Sequence, residues 1–343
     1  MDKMSTVSPE YKKSFLTLMK KDYIQLPKML ESKTNYLDSL KTLYKNYLQD
    51  LSTLKLVNNQ SMKQISEICD QICKIANSTT DYGYSLMIHL MENTSLKEHL
   101  YIIQDELPID GFGRKNINLF RNQKRCKSVE HAREDLFHCP FSSNSFVKSC
   151  RYNIENCPSL YLSSTIECTF NELNIATTEL VTSSLFRLSK EAKDNLFIID
   201  LGTRPLDYIR FKRNSSNNNY KYSHYLFAYP LIAACSYIDS ESNKDGKCNE
   251  YIVSQALSKW LFNNTQIDES KLKGIRYFSC YDSDYSIKGN RNITHNEYNN
   301  NNYTKYFINY AFFPERTINK TQTFSPLLKK YFFSFNTYKT KKI

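Results

Sequence analysis

Two runs of apolar residues near the amino terminus constrain the fold of this chain more than any other feature. Leu37, Leu40, Tyr44, Tyr47, Leu51 and Leu54 recur three and four residues apart, and Ile65, Ile68, Ile72 and Ile75 resume that spacing after a polar break. An α-helix brings residues three and four apart onto one face, so each run writes a single apolar stripe. The break, Val57-Asn58-Asn59-Gln60, is short and turn-forming. Two helices packed antiparallel through their stripes account for both seams and for the break. Further helices are expected around Phe15, Leu16 and Met19, and from Tyr84 to Met91, where Asn93-Thr94-Ser95 closes the last one. Residues 1–106 thus read as an α-helical domain, a hairpin or bundle. An exposed seam would also serve as a homo-oligomer or partner surface.

Farther along, the pattern shortens. Ser159 to Leu162 is an apolar run after Pro158, as expected of a strand entering a sheet. Ser164-Thr165-Ile166-Glu167 then fits a capping box, with the serine accepting a first-turn N–H and the glutamate reaching back. Ile166, Phe170 and Leu173 follow at helical spacing and bury one face. Glu172 lies on the second turn, about 240° round from Ile166, off that stripe. An arginine before the strand (Arg151), a tyrosine within it (Tyr161) and this glutamate can therefore converge on one cleft.

The remaining elements fit a mixed α/β domain over 107–343, an α+β fold for the whole chain. Gly111 and Gly113 mark a joint, beside a cationic patch of Arg114, Lys115, Arg121, Lys124, Arg125 and Lys127. Leu180 to Leu188 reads as helical, Leu196 to Leu201 as a buried strand, and Tyr225 to Tyr237 as a helix buried on almost every side. A helix over Glu250–Phe262 buries Ile252, Val253, Ala256, Leu257, Trp260 and Leu261, leaving Gln255 toward solvent or a cleft. In the strand Gly274–Cys280, alternation puts Ile275, Tyr277 and Ser279 on one face and Arg276, Phe278 and Cys280 on the other. Tyr306 to Pro314 is strand-like, residues 214–219 and 290–303 are Asn-rich loops, and the basic tail Lys339–Lys342 should fray.

Composition removes several function classes. No apolar run approaches the 18 residues of a membrane span, and Asp2, Lys3, Glu10, Lys12 and Lys13 spoil a signal-like start, so a cytoplasmic protein is expected. The net charge is +11, but lysines and arginines are spread along the chain without zinc-finger, helix-turn-helix or RNP signatures. Such a surface suits a pyrophosphate-bearing substrate better than dedicated nucleic-acid binding. The ten cysteines form no framework and should stay reduced; Cys69 and Cys73 suit helix packing, and no metal site is expected.

Asp135-Leu136-Phe137-His138-Cys139-Pro140-Phe141, Arg151-Tyr152-Asn153, Pro158-Ser159-Leu160-Tyr161-Leu162 and Glu172-Leu173 resemble, in order, segments of the RES domain, a family named for an arginine, a glutamate and a serine. Glu250 to Leu257 and Gly274 to Ser279 resemble its later segments, so the resemblance spans about residues 110–335. It implies an ADP-ribosyltransferase-like fold. It also implies an NAD+-consuming enzyme that cleaves the nicotinamide–ribose bond, by hydrolysis or phosphorolysis, and acts as a growth-arresting bacterial toxin. Four residues match the family motif position by position: Arg151, Tyr161, Glu172 and Ser279. The bond breaks through an oxocarbenium-like state, for which Glu172 supplies the stabilising carboxylate. Arg151 offers a planar fork to the pyrophosphate, Tyr161 an aromatic face and a hydroxyl, and Ser279 a hydrogen bond on the nicotinamide side. Arg121, in Asn118-Leu119-Phe120-Arg121, resembles a first-strand arginine facing NAD+, although a solvated strand end explains it equally well. NAD+ enters as substrate, with no metal.

The sequence departs from the family at Cys150, where glycine is common before the arginine, and at Ser254, where proline is common before the glutamine. Neither change removes a reacting group. His138 fits a packed or capping role better than that of a base. The resemblance further implies a helix-turn-helix antitoxin as partner, with residues 1–106 modulating activity or assembly and supplying no catalytic group. Two alternatives share these residues: an ADP-ribosyltransferase modifying a protein target, and a catalytically silent module that holds NAD+ or a partner.

Overall fold

The structure, a computed structural model, describes residues 8–30, 34–100, 102–103, 118–124, 136–148, 150–173, 180–205, 222–238, 249–265, 272–279, 308–315 and 323–341. In chain order the helices are α1 (Pro9–Met19), α2 (Tyr36–Thr53), α3 (Asn59–Ala76), α4 (Thr80–Asn93), α5 (Leu96–His99), α6 (Ile166–Glu172), α7 (Lys190–Asn195), α8 (Tyr222–Ala234), α9 (Ile252–Thr265) and α10 (Pro326–Tyr331). The strands are β1 (Lys28–Met29), β2 (Ile102–Ile103), β3 (Asn118–Lys124), β4 (Leu160–Ser163), β5 (Leu180–Leu188), β6 (Phe197–Leu201), β7 (Tyr237–Ile238), β8 (Leu272–Phe278), β9 (Ile308–Phe312) and β10 (Phe332–Lys341). The fold is α+β. It divides into two units, Met1–Leu100 with Thr203–Ala256, and Tyr101–Gly202 with Leu257–Ile343.

In the first unit the stripes fold as their spacing predicts. Leu40, Tyr47 and Leu51 of α2 and all four isoleucines of the α3 seam are fully buried, while Leu37 and Leu54 are half-buried at the stripe's margin. Asn35 and Asn58 cap the two helices, accepting the Asp38 and Ser61 N–H groups at 2.8 Å each. Because Asn58 serves as a cap, the turn falls earlier than the polar break suggested, with Lys55 in the left-handed region at φ 51°.

Every side chain of α8 from Tyr225 to Ala234 is buried, so this helix must be enclosed. Pro230 lies inside it and has no N–H, which strips the Leu226 carbonyl of its helical partner. Tyr47 donates its hydroxyl to that oxygen at 2.7 Å. Tyr44 and Tyr36 donate to the Pro230 and Ala234 carbonyls, each at 2.8 Å. These contacts tie α8 to α2, and residues 203–256 join the helical unit. A single cut near residue 106, as the sequence suggested, assigns them to the other unit; each unit instead takes two separate stretches of the chain.

The second unit is built on an eight-stranded sheet ordered β10-β5-β3-β4-β9-β8-β6-β2. Its neighbours are antiparallel apart from β6 and β8, which run parallel. Leu180–Leu188, expected to be helical, is strand β5, paired with β3 on one side and β10 on the other. Its buried Val181, Thr182, Ser183 and Ser184 are short or β-branched, and ladders on both edges override the apolar spacing that suggested a helix. The basic tail also differs from expectation: β10 runs to Lys341, its backbone held against β5. A Cβ at Gly274 would meet the Phe312 ring at 2.8 Å and the Ala311 carbonyl at 2.9 Å, so β8 and β9 require glycine there. In α9, Val253, Ala256, Leu257, Trp260 and Leu261 are buried and Gln255 is half-buried. Gly111, Gly113, Arg114, Lys115, Arg125, Lys127 and both Asn-rich stretches lie outside the described residues. Among the described residues no helix is long and apolar enough to cross a membrane.

Candidate functional site

The approach to α6 differs in detail from a capping box at Ser164. Thr165 is the residue whose hydroxyl accepts a first-turn N–H, that of Cys168, at 3.1 Å. Ser164 is engaged with β9 instead: its N–H donates to the Ile308 carbonyl at 2.8 Å and its hydroxyl accepts the Ile308 N–H at 3.2 Å. Ile166, Phe170 and Leu173 then pack with Val181 of β5, as their spacing predicts. With that stripe buried and α6 lying across β3 and β4, Glu172 ends the helix half-buried, turned away from the apolar cluster.

Glu172 meets two donors. The Ser279 hydroxyl reaches Oε1 at 2.5 Å, and the Asn309 side-chain amide reaches the same oxygen at 2.6 Å. Oε2 receives no hydrogen bond from the described residues. The sheet register explains the convergence. Asn309 of β9 pairs with Ser163 of β4 on one side and Tyr277 of β8 on the other, and directly opposed residues share a face. Tyr161, Ser163, Tyr277 and Asn309 therefore line one face, with Ser279 just past the end of β8. Arg276 projects from the opposite face, where it forms a buried ion pair with Asp200 at 2.8 Å.

The electrostatics are those of a carboxylate withdrawn from water. Burial pushes the Glu172 carboxyl above its ordinary range; the Ser279 and Asn309 hydrogen bonds and the Arg151 charge pull the other way without cancelling it. Tyr161 and Tyr277 are both pushed far up, mainly by burial, and both feel the Glu172 charge. Tyr277 also packs on Tyr152, ring centroids 4.2 Å apart. Arg151 sits half-buried in a tight turn bounded by the Cys150–Asn153 bridge. Arg121 on β3 is close enough to Tyr161 for each charge to act on the other, and burial lowers its guanidinium to about 10.

Arg151, Tyr161, Glu172 and Ser279 are thus linked through Glu172, whereas Arg121 acts on Cys139 and Tyr161 and alternates to the other face of β3 from Phe120, which pairs with Ser163. Among the described residues, Arg121 Nη1 and the Tyr161 hydroxyl are buried without hydrogen-bond partners. A buried guanidinium nitrogen and a phenol left unsatisfied are groups that a phosphate- and sugar-bearing ligand would complete.

Asn309 and Tyr277 were not selected from the sequence. The signal for Asn309 was an amide inside an otherwise apolar strand, Ile308–Phe312, every residue of which is buried. His138 packs and caps: its Nε2 accepts the N–H of Ser325, the residue before α10, at 2.8 Å, and its Nδ1 donates to the Cys139 carbonyl at 2.7 Å. Those partners fix a neutral tautomer, and burial lowers the ring to about 4.

No family model matches the sequence, and no solved structure was found to match it. The chain is 26% identical over 258 residues to a protein of Bacillus subtilis (strain 168) named "Putative toxin YopC". That match covers 70% of this chain and 55% of the other, so the chain spans about half the length of the curated relative it matches.

Proposed function

We propose that this chain is a RES-type toxin that cleaves the nicotinamide–ribose bond of NAD+, by hydrolysis or phosphorolysis, in the cytoplasm. The observation that carries it is the Glu172 carboxylate, held through Oε1 by Ser279 and Asn309, with no hydrogen bond to Oε2 from the described residues, and acted on by Arg151 and coupled to two buried tyrosines. Similarity to a protein named as a toxin supports the biological role.

The chemistry follows from the charges. Nicotinamide leaves NAD+ as a neutral amide that takes the bonding electron pair, so the departure needs no general acid. Positive charge develops on the ribose and is greatest in the transition state, where a nearby carboxylate stabilises it most. Glu172 Oε2 takes that role and accepts a ribose hydroxyl. Arg151 and Arg121 hold the pyrophosphate, and Tyr161 takes the sugar or a phosphate. Water or phosphate then forms the new bond at the ribose carbon, and water loses its proton to solvent. A helix-turn-helix antitoxin that blocks the cleft is the partner this role calls for.

The test is to incubate purified full-length protein with NAD+, with and without inorganic phosphate, and identify the products by mass spectrometry. Free nicotinamide with ADP-ribose, or with its phosphorylated form when phosphate is present, is expected. Intact NAD+ after prolonged incubation refutes the proposal; ADP-ribose attached to protein redirects it to a transferase.

A further inference from the structure

On the premise that Glu172 serves the cleavage proposed above, we propose that Asn309 is a positioning residue, which presents Glu172 to the substrate through Oε2 by occupying Oε1. Asn309 is 2% exposed and lies midway between the residues that hold it and the residue it holds. Its Oδ1 accepts the Ser163 hydroxyl at 2.5 Å and the Cys168 thiol at 3.2 Å. Its Nδ2 donates to Glu172 Oε1 at 2.6 Å.

The orientation of the amide follows from these partners. A flipped side chain would turn its carbonyl oxygen toward the carboxylate and set Nδ2 against the hydroxyl and thiol that now donate to Oδ1. Because an ionised carboxylate only accepts, whereas the hydroxyl and the thiol can donate to Oδ1, the amide donates forward to Glu172. Ser279 reaches the same oxygen from the end of β8, so Oε1 is held from two strands and the carboxylate cannot rotate without breaking both bonds. Oε2 is thereby set as the oxygen that meets a ligand. Among the described residues the Asn309 side chain bonds to Ser163, Cys168 and Glu172, so it acts on the reaction through Glu172.

The other groups acting on this carboxylate are Arg151, which favours its charge, and the hydroxyls of Tyr161 and Tyr277, to which it is electrostatically coupled. None of them is bonded to Asn309 in a way that would substitute for its amide. Its neighbour in the register, Tyr277, carries a phenol that burial keeps protonated.

The experiment compares Asn309→Asp, which keeps the shape but replaces the donor by an acceptor, with Asn309→Leu, which removes both ends at similar volume. Glu172 is titrated by carbon-13 NMR of the labelled carboxyls without substrate, its signal identified by its loss in Glu172→Gln. In both variants the carboxyl is expected to protonate about one pH unit or more higher than in the unaltered protein. In Asn309→Asp the two carboxyls titrate as a pair. With NAD+, kcat should fall about tenfold or more while KM stays within about threefold, because only presentation of the carboxylate has changed. The Oε1 assignment is overturned if Glu172 titrates within about 0.3 unit of its original position in both variants, or if the loss appears in KM alone. Should Asn309→Leu fail to fold, the isosteric Asn309→Asp decides the matter. If the unaltered protein leaves NAD+ intact, the cleavage proposal fails while the titration still judges Asn309.

Discussion

Replacing Glu172 by glutamine should abolish most turnover while leaving the protein as stable as before, or more so. The orientation of the new side chain can be worked out from its surroundings. Ser279 and Asn309 both donate to Oε1, so the glutamine must place its carbonyl oxygen there and its amide nitrogen where Oε2 stood. The substitution thus turns N–H dipoles toward the developing positive charge in place of a negative oxygen. Loss of one preorganised electrostatic contact costs about 100- to 1,000-fold in kcat, and a reversed dipole puts this variant toward the upper part of that range. Affinity for NAD+ should change little, because the lost contribution is greatest in the transition state. On stability, burial raises the Glu172 carboxyl above its unfolded value, so the folded protein binds the proton more tightly than the unfolded chain. That contribution is fully present below the unfolded pKa and is lost as pH rises through the folded one. Glutamine has no such loss, and the melting temperature of Glu172→Gln relative to the unaltered protein should climb from pH 4 to pH 8. Nicotinamide release at matched concentrations and thermal melts at several pH values measure both. Turnover within tenfold of the unaltered rate, or a melting difference that shrinks as pH rises, would refute the reasoning.

Arg151→Ala should act mainly on apparent affinity for NAD+, and should also move the acid limb of the kcat/KM profile to higher pH, since the Arg151 charge favours ionised Glu172. Tyr47→Phe takes from the Leu226 carbonyl the hydroxyl that replaces the N–H missing at Pro230, and should cost about 1–3 kcal/mol. Tyr44→Phe should cost less, about 0.5–1.5 kcal/mol, because the Pro230 carbonyl keeps the helical N–H of Ala234; paired denaturant titrations check the order. His138 is lowered from 6.5 to about 4, so the stability tied to its neutral form is complete above pH 6.5 and lost as pH falls toward 4. A loss of about 3 kcal/mol over that window, absent in His138→Phe, is expected in acid unfolding curves. A fragment beginning at Leu107 lacks the tyrosines that cover α8, and limited proteolysis should cut it within residues 222–234.

The sequence by itself determined the elements whose periodicity is local. The isoleucine seam of α3, the all-round apolar α8, the alternation of β8 and the Ile166–Phe170–Leu173 stripe are all visible as spacing, because a side chain's direction follows from position within a regular element. The stripe also implied that Glu172 turns away from the apolar cluster, and alternation set Tyr277 beside Ser279. Tertiary structure alone decided the rest. Leu180–Leu188 is a strand because β3 and β10 flank it, a fact carried by residues far away in the chain. Residues 203–256 join the amino-terminal helices because Pro230 leaves a carbonyl that Tyr47 can reach, and neither residue marks that pairing on its own. Asn309 bonds to Glu172 across 137 positions of sequence, brought there by the register of β9 between β4 and β8. A hydrogen bond depends on where two atoms sit in space, and local spacing fixes that only within a single helix or strand.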